Sequence, residues 1–342
     1  MNNRTLLKYH SVLGLFAGLL LVLMGLTGAI LIFNEDIDAA CFQKYEVSDT
    51  SNVMSLDKAL ALVQREFPMW DTRIVHFKKG ETILFNLRRP EERRFVFVHP
   101  ETGTLLGNID ANTTFSKWVL KLHYSLHAGL VGRIVVLITG ILFFLSLLTG
   151  ILLYRKVIVK TLLFKIKVKR SHKRNFYSAL HRYVGVWALV MNLVLVITGL
   201  FLAYKVVQSG LQQPKEPTTP LLQFSLDNAL EKVQKELPDF SPTYIRLPNN
   251  NKADLIFNGV FENDPFYFSE YYNKIVLDAK SGAIKEIVRV TDTSLGNQLN
   301  SMVSPLHFGQ YGGFWIKLLY CLAALSGPFL SISGYIIWRS KK

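Results

Sequence analysis

The sequence predicts a membrane all-α four-helix bundle made of two tandem, pseudo-symmetric helix–domain–helix repeats, with two small α+β domains outside the bilayer. Three observations lead there. Four windows, Ser11–Phe33, Ile134–Tyr154, Tyr183–Tyr204 and Leu318–Trp338, hold no Asp, Glu, Lys, Arg or His, and each reaches the roughly 18 to 20 residues that cross a bilayer core of about 30 Å. Two long polar stretches, 34–117 and 208–302, separate the first window from the second and the third from the fourth. The second half of the chain also repeats the first. Lys8–Phe33 and Leu180–Tyr204 each carry a histidine followed at the same interval by Thr-Gly, from His10 to Thr27-Gly28 and from His181 to Thr198-Gly199.

The first polar stretch opens with Ser55–Phe67, a Ser cap followed by apolar residues at helical spacing and stopped by Pro68. Thr82–Leu87 and Arg94–His99 alternate like paired strands, and a Pro-Glu-Thr-Gly turn at 100–103 leads to a third strand over Thr104–Ile109. The second stretch repeats the pattern. Ser225–Leu237 matches Ser55–Phe67, again with proline next, and strands are expected at Ala253–Asn258, Tyr267–Tyr272 and Ile275–Asp278. A Pro-rich linker, Gln213–Pro220, precedes it. Each domain leads into another matched pair, Leu122–Arg155 and Leu306–Arg339, which align without gaps and superimpose His123 on His307 and Gly150 on Gly334. The expected segments are therefore 1–33, 34–117, 118–154, a basic loop 155–175, 176–207, 208–302 and 303–342.

Charge sets the orientation. No Asp or Glu lies between Ala111 and Lys215, and Arg155–Arg174 alone carries nine Lys and Arg. Adding Arg4, Lys8, Arg339, Lys341 and Lys342 places 14 cations just outside the spans on one side of a four-crossing chain. Positive segments stay cytoplasmic, so both termini are expected there and the two domains on the opposite face. The net charge of +14 is accounted for by topology and anionic lipid headgroups, and nucleic-acid binding is not expected. The first span is too long for a signal peptide and lacks a small-x-small site after it. Cys41 and Cys321 lie at different depths and read as packing residues. No Gly-x-Gly-x-x-Gly, phosphate loop or nucleophile elbow is present.

Four histidines remain as the chemistry. Duplication about an axis along the membrane normal sets His10 opposite His181 at one depth and His123 opposite His307 at another. Two neutral imidazoles facing across a helical bundle suit a six-coordinate haem iron. Neither pair has the neighbouring Cys, Asp or Glu that a zinc or copper shell would take. Gly14, Gly18, Gly129, Gly132, Gly185, Gly312 and Gly313 would let a flat macrocycle approach the backbone. Arg133 and Lys317 at one end, and Arg4, Lys8, Arg174 and Arg182 at the other, could hold propionates. His127, one turn beyond His123, is an alternative ligand, and His172 a weaker one at the cytoplasmic end. His76 and His99 read as surface residues.

The motifs YHSVLGL, LHYSLHAGLVGR, LHRYVGVWA and SPLHFGQYGGFW, in that order and with a polar domain after spans one and three, resemble the PepSY-associated transmembrane proteins of bacteria, also called iron-regulated membrane proteins. This family includes inner-membrane ferric-siderophore reductases of the FoxB type. The resemblance implies two PepSY-like periplasmic domains and a bundle carrying haem b, two groups being expected, with His10, His123, His181 and His307 as ligands. It further implies an oxidoreductase that takes electrons from a quinol or a cytoplasmic reductase and reduces ferric iron, usually siderophore-bound, in the periplasm. A non-enzymatic sensor or binding protein, and a siderophore or haem transporter, are the alternatives.

Overall fold

The computed structural model describes residues 2–47, 54–90, 92–166, 168, 172–212, 217, 222–250 and 252–340. Most of the expected Pro-rich linker, Lys167, Lys169 and Arg170 of the basic loop, and Lys341 and Lys342 lie outside them. The helices are α1 (Asn3–Leu31), α2 (Asn34–Phe42), α3 (Leu56–Glu66), α4 (Phe115–Ser125), α5 (Gly129–Tyr154) and α6 (Ile158–Leu162). They continue with α7 (Lys173–Trp187), α8 (Leu189–Leu211), α9 (Leu226–Glu236), α10 (Leu295–Phe308) and α11 (Gly313–Arg339). The strands are β1 (Asp71–His76), β2 (Ile83–Arg88), β3 (Arg93–Val98), β4 (Leu105–Asp110), β5 (Phe240–Arg246), β6 (Leu255–Phe261), β7 (Asn273–Leu277) and β8 (Ile284–Val288). The chain divides into two units, one of residues 1–35, 119–212 and 303–342, the other of 36–118 and 213–302.

In the first unit α1, α5, α8 and α11 are each long and apolar enough to cross a membrane. α1 packs on α5 and α11, α5 on α8, and α11 on α7. The α1–α11 seam is close because Gly25 faces Pro328 and the Ala324 carbonyl, where a methyl group would meet Pro328 Cδ at 2.4 Å. The third predicted span is two helices, α7 and α8, joined at Ala188. The helical ladder runs through the joint, since Ala188 N donates to Val184 O and Asn192 N to Ala188 O. Two polar contacts tie helices inside the bundle. Asn192 Nδ2 donates to Ser326 Oγ at 2.8 Å, and the fully buried Tyr320 donates to Leu306 O at 2.9 Å.

In the second unit the two polar stretches, each expected as a small α+β domain, are joined. β1 pairs with β5 through Arg73–Arg246 and Ile74–Ile245, so the two halves share one antiparallel eight-stranded sheet in the order β4-β3-β2-β1-β5-β6-β7-β8. They also share one core. Leu56, Leu60 and Val63 of α3 and Leu226, Leu230 and Val233 of α9 are buried in the same cluster as Ile74, Phe85, Ile245 and Phe257. A half of this size buries a smaller fraction of its surface than the joined unit does, and joining the sheets removes two exposed edges as well. Tyr267–Tyr272 is not a strand: it ends in a short 3-10 turn, Glu270–Tyr272, before β7. β1 and β5, which the alternation did not single out, are the strands that make the junction.

The helix starts are exchanged across that junction. Ser55 Oγ and the Leu56 and Asp57 amides donate to the Asp227 carboxylate. In return Ser225 Oγ and the Leu226 amide donate to the Asp57 carboxylate. Each carboxylate thus satisfies the free N–H groups and the positive end of the other half's helix. Replacing Asp57 or Asp227 by alanine is expected to cost about 1 to 2 kcal/mol, read as faster amide exchange over both α3 and α9 in the full chain. Unchanged protection of the opposite helix would rule out the coupling.

Candidate functional site: four anchored histidines

Each histidine leans on a hydroxyl-glycine pair of another helix. His10 Nδ1 lies 3.0 Å from Ser146 O and 3.1 Å from Thr149 Oγ1 on α5. His181 Nδ1 meets Ser333 Oγ of α11 at 2.8 Å. His123 Nδ1 meets Thr27 Oγ1 of α1 at 2.9 Å, and His307 Nδ1 meets Thr198 Oγ1 of α8 at 3.0 Å. The glycine next to each hydroxyl makes room for the ring. A methyl group added at Gly150, Gly334, Gly28 or Gly199 would stand 3.3, 3.5, 3.3 or 2.9 Å from Cε1 of His10, His181, His123 or His307. Helical sequence alone makes these dipeptides, but the bundle gives each one a partner.

The hydrogen bonds assign the tautomer. A carbonyl oxygen only accepts, so His10 Nδ1 carries a proton toward Ser146. Thr27 Oγ1 spends its proton on Leu23 O at 2.7 Å, Thr198 on Val194 O at 2.6 Å, and Ser333 on Leu330 O at 3.2 Å. Each hydroxyl therefore accepts from its imidazole. In a neutral ring with Nδ1 protonated, Nε2 holds a bare lone pair on the edge turned away from the anchor. A hydrogen bond from Nδ1–H to a carbonyl or hydroxyl oxygen orients metal-binding histidines and raises their basicity.

His10 and His181 face each other, their ring centres 6.2 Å apart and their planes at 87°. Two imidazoles bound to one metal through Nε2 at about 2.0 Å, with each ring centre about 1.1 Å behind its nitrogen, stand about 6 Å apart. The spacing of the pair is compatible with both rings binding one metal ion. Both line a cavity of 510 Å³ between α1, α5, α7 and α11, with Gly14, Gly150, Gly185 and Gly334 in its walls, within the range of about 300 to 1,000 Å³ for cofactor pockets. Arg174 and Arg182 line the cavity too, and no carboxylate does. Arg182 stacks over Tyr154 at 5.6 Å, and its buried Nε has no hydrogen-bond partner. His10 and His181, the wall glycines, and Arg174 with Arg182, whose buried Nε has no partner, are residues that could hold a flat, apolar group with acidic edges.

The second pair, His123 and His307, sits half-buried at the end of α4 and of α10. Along α1 its Thr27 anchor lies 17 residues from His10, about 26 Å of helix. Straight extension of the second span would set the two pairs much farther apart. α4 ends at Ser125 instead, and α5 starts afresh at Gly129, which lets His123 reach back to Thr27. The same break removes His127 from the face of His123: Leu126 and His127 take left-handed backbone angles, φ +52° and +54°, and His127 is exposed. The expected helical relation between the two does not exist.

Other expectations divide. Arg133 Nη1 donates to Val206 O at 3.2 Å and the guanidinium lies over Tyr124, but its buried Nε has no partner, so it keeps a donor to offer. Lys317 lies half-buried in the first turns of α11. Arg4 and Lys8 are exposed. Gly129 and Gly313 have open space about them and φ of +55° and +61°, so they start helices after a turn rather than clear a ring. Gly132 and Gly312 are crowded by their own turns. The glycines that meet histidines are the four after Thr or Ser, two of which, Gly28 and Gly199, were already legible beside the repeated threonines. Among the described residues no group of three or more His, Cys, Asp or Glu converges, and the donors come as pairs.

Fold and site together define a helical membrane protein whose spans present paired, anchored imidazoles, joined to a polar unit of one sheet and two helices. The chain belongs to the PepSY-associated transmembrane family: a family model described as the PepSY-associated TM region matches residues 7–341. No curated protein matches it.

Proposed function

We propose that this protein is a haem b electron carrier of the bacterial inner membrane that reduces ferric iron, held as a siderophore or another chelate, at the periplasmic face. The observation that carries this reading is the His10–His181 pair: 6.2 Å between ring centres, both Nδ1 atoms anchored, and a shared cavity with a free Arg182 donor. Haem would supply reversible one-electron chemistry at its iron. The protein's own part is to hold Nε2 of His10 and His181 in position, to keep water from the cavity with apolar helix faces, and to offset acidic edges with Arg174 and Arg182. His123 and His307, anchored in the same way, would serve a second haem, with Arg133 and Lys317 near it. Orientation follows from the basic flanks, which keep both termini cytoplasmic, so electrons from a quinol or a cytoplasmic reductase leave at the His123–His307 end.

Purified chain is expected to show reducible Soret and α bands and two haems per chain, and the reduced form is expected to be reoxidised on adding a ferric chelate. Absence of haem overturns this reading and favours a sensor or binding protein. The anchors give a sharper test. Thr27→Val with Thr198→Val removes the acceptors of His123 and His307 and is expected to weaken haem retention about 10- to 100-fold at that pair, whereas serine at both positions restores it. Equal retention by the valine form would show that the anchors do not act on a ligand.

A further inference from the structure

The strongest feature outside the bundle is on the sheet. α3 and α9 cover one face, and Ile74, Phe85, Ile245 and Phe257 point into that core. Strand alternation sends their neighbours to the other face. There Phe42 and Tyr45 cover β3, with Tyr45 stacked on Phe97 at 4.4 Å. The centre stays open as a cavity of 410 Å³, with Arg73, Arg88, Arg246 and Lys274 among its lining residues and Tyr244 and Tyr271 beside them. Both halves of the duplication contribute, so the cleft exists only because β1 pairs with β5.

Its charges are not balanced from within. Asp71 is the carboxylate paired across the strands with Arg88, and Arg73 already holds it at 2.6 Å while also donating to Tyr244 Oη. Glu270 sits beside Tyr271. Among the described residues Arg88, Arg246 and Lys274 have no carboxylate in ion-pair range. Burial, and then the nearby charges of Arg73 and Arg93, pull the Arg88 guanidinium down to about 10. A protein gains nothing in stability from crowding like charges on a half-buried surface, whereas guanidinium forks beside tyrosine hydroxyls are suited to binding oxyanions.

We propose that this cleft binds a small polycarboxylate, free or as its anionic metal chelate. Spacing selects the class. The cations stand on β2, β1, β5 and β7, across four strand steps of about 4.8 Å, or about 19 Å in all. One tetrahedral anion reaches only two neighbouring cations over such a span, while a molecule carrying several separated carboxylates engages the row. The volume excludes a protein segment of any length and admits a chelate of small-molecule size. The inference deepens the reductase reading by giving the iron chelate a charge, and rests on that reading only for what happens to the ligand afterwards.

The test titrates the full chain, in uncharged detergent at low salt, with gallium(III) citrate, which binds without being reduced as iron would be. Binding is expected, weakening as salt rises, and Arg88→Gln with Arg246→Gln is expected to weaken it by about tenfold or more. Lys235→Gln, on α9 behind the sheet, is expected to leave it unchanged. No binding, or equal loss in the Lys235 variant, overturns the proposal. So does equal or tighter binding of inorganic phosphate, which would mark a site for a single oxyanion or a lipid headgroup, and this wild-type comparison decides the matter even where a variant fails to fold. Haem content measured on the same samples separates the two readings: haem without citrate binding refutes the cleft alone, and citrate binding without haem refutes the reductase alone.

Discussion

The His10→Ala chain is expected to leave the membrane with one haem where the unaltered chain is expected to hold two. If haem is held here as proposed, the Nε2 atoms of His10 and His181 would supply all the protein's metal bonds, and the remaining ring, 6.2 Å away, could not replace what is lost. The cavity also loses an imidazole from its wall, and the Ser146 and Thr149 acceptors lose their donor. Quantified haem per chain reads the effect directly, with His181→Ala expected to match it. Two further variants fix the assignment. His172 is exposed just ahead of α7 and His127 is exposed in the turn after α4, so alanine at either is expected to retain both haems. A full complement in His10→Ala, or a loss in His172→Ala, would reassign the site.

The His307→Ala chain is expected to fail at the other end. It keeps the His10–His181 pair, so a haem there should remain reducible from the cytoplasmic side. Reduction of an external ferric chelate should fall to the uncatalysed rate. The physical ground is distance: on α1, His10 and the Thr27 anchor of His123 are 17 residues apart, about 26 Å along the helix, and the His123–His307 pair would bring a second donor set to the far end. Proteoliposomes loaded with reductant inside and ferric chelate outside give the measurement. Reduction at the unaltered rate would show that the route does not pass through His307. A second variant, His123→Ala, should reproduce the loss, because the two rings would share one site.

Much of the site could be read before the fold was seen. Two histidines at equal distance from Thr-Gly in sequences 171 positions apart are a pattern of chain geometry, and duplication says which copies belong together. What the threonines do was not legible. His10 does not use Thr27, the threonine of its own helix: it uses Thr149, 139 residues away, and Thr27 serves His123. The clue was present in a weaker form, since every span carries a Thr-Gly or Ser-Gly, at 27–28, 149–150, 198–199 and 333–334. Nothing local distinguishes these dipeptides from ordinary small residues at helix contacts. His127 was misplaced for a related reason. Helical spacing set it beside His123, but the left-handed backbone at Leu126 and His127 is imposed where α4 turns into α5.

The polar unit divides in the same way. The repeated Ser-Leu-Asp starts and the apolar residues at positions 56, 59, 60 and 63, matched at 226, 229, 230 and 233, made α3 and α9 readable, because cap and face are properties of consecutive residues. The aspartates in those motifs read as helix-start residues of their own helices. In the structure each also caps the helix of the other half.

By itself the sequence determined four apolar spans, their duplication, the cationic flanks, the capped helices and the interval from histidine to glycine. All of these depend on neighbours along one chain segment, where covalent geometry sets the spacing. Only the tertiary structure decided which helix anchors each imidazole, where Nε2 is left bare, that His127 leaves the helical face of His123, and that the two halves share one sheet. The anchors and the sheet junction join residues 96 to 173 positions apart, and burial, strand pairing and the satisfaction of polar groups choose among partners that local spacing leaves equivalent.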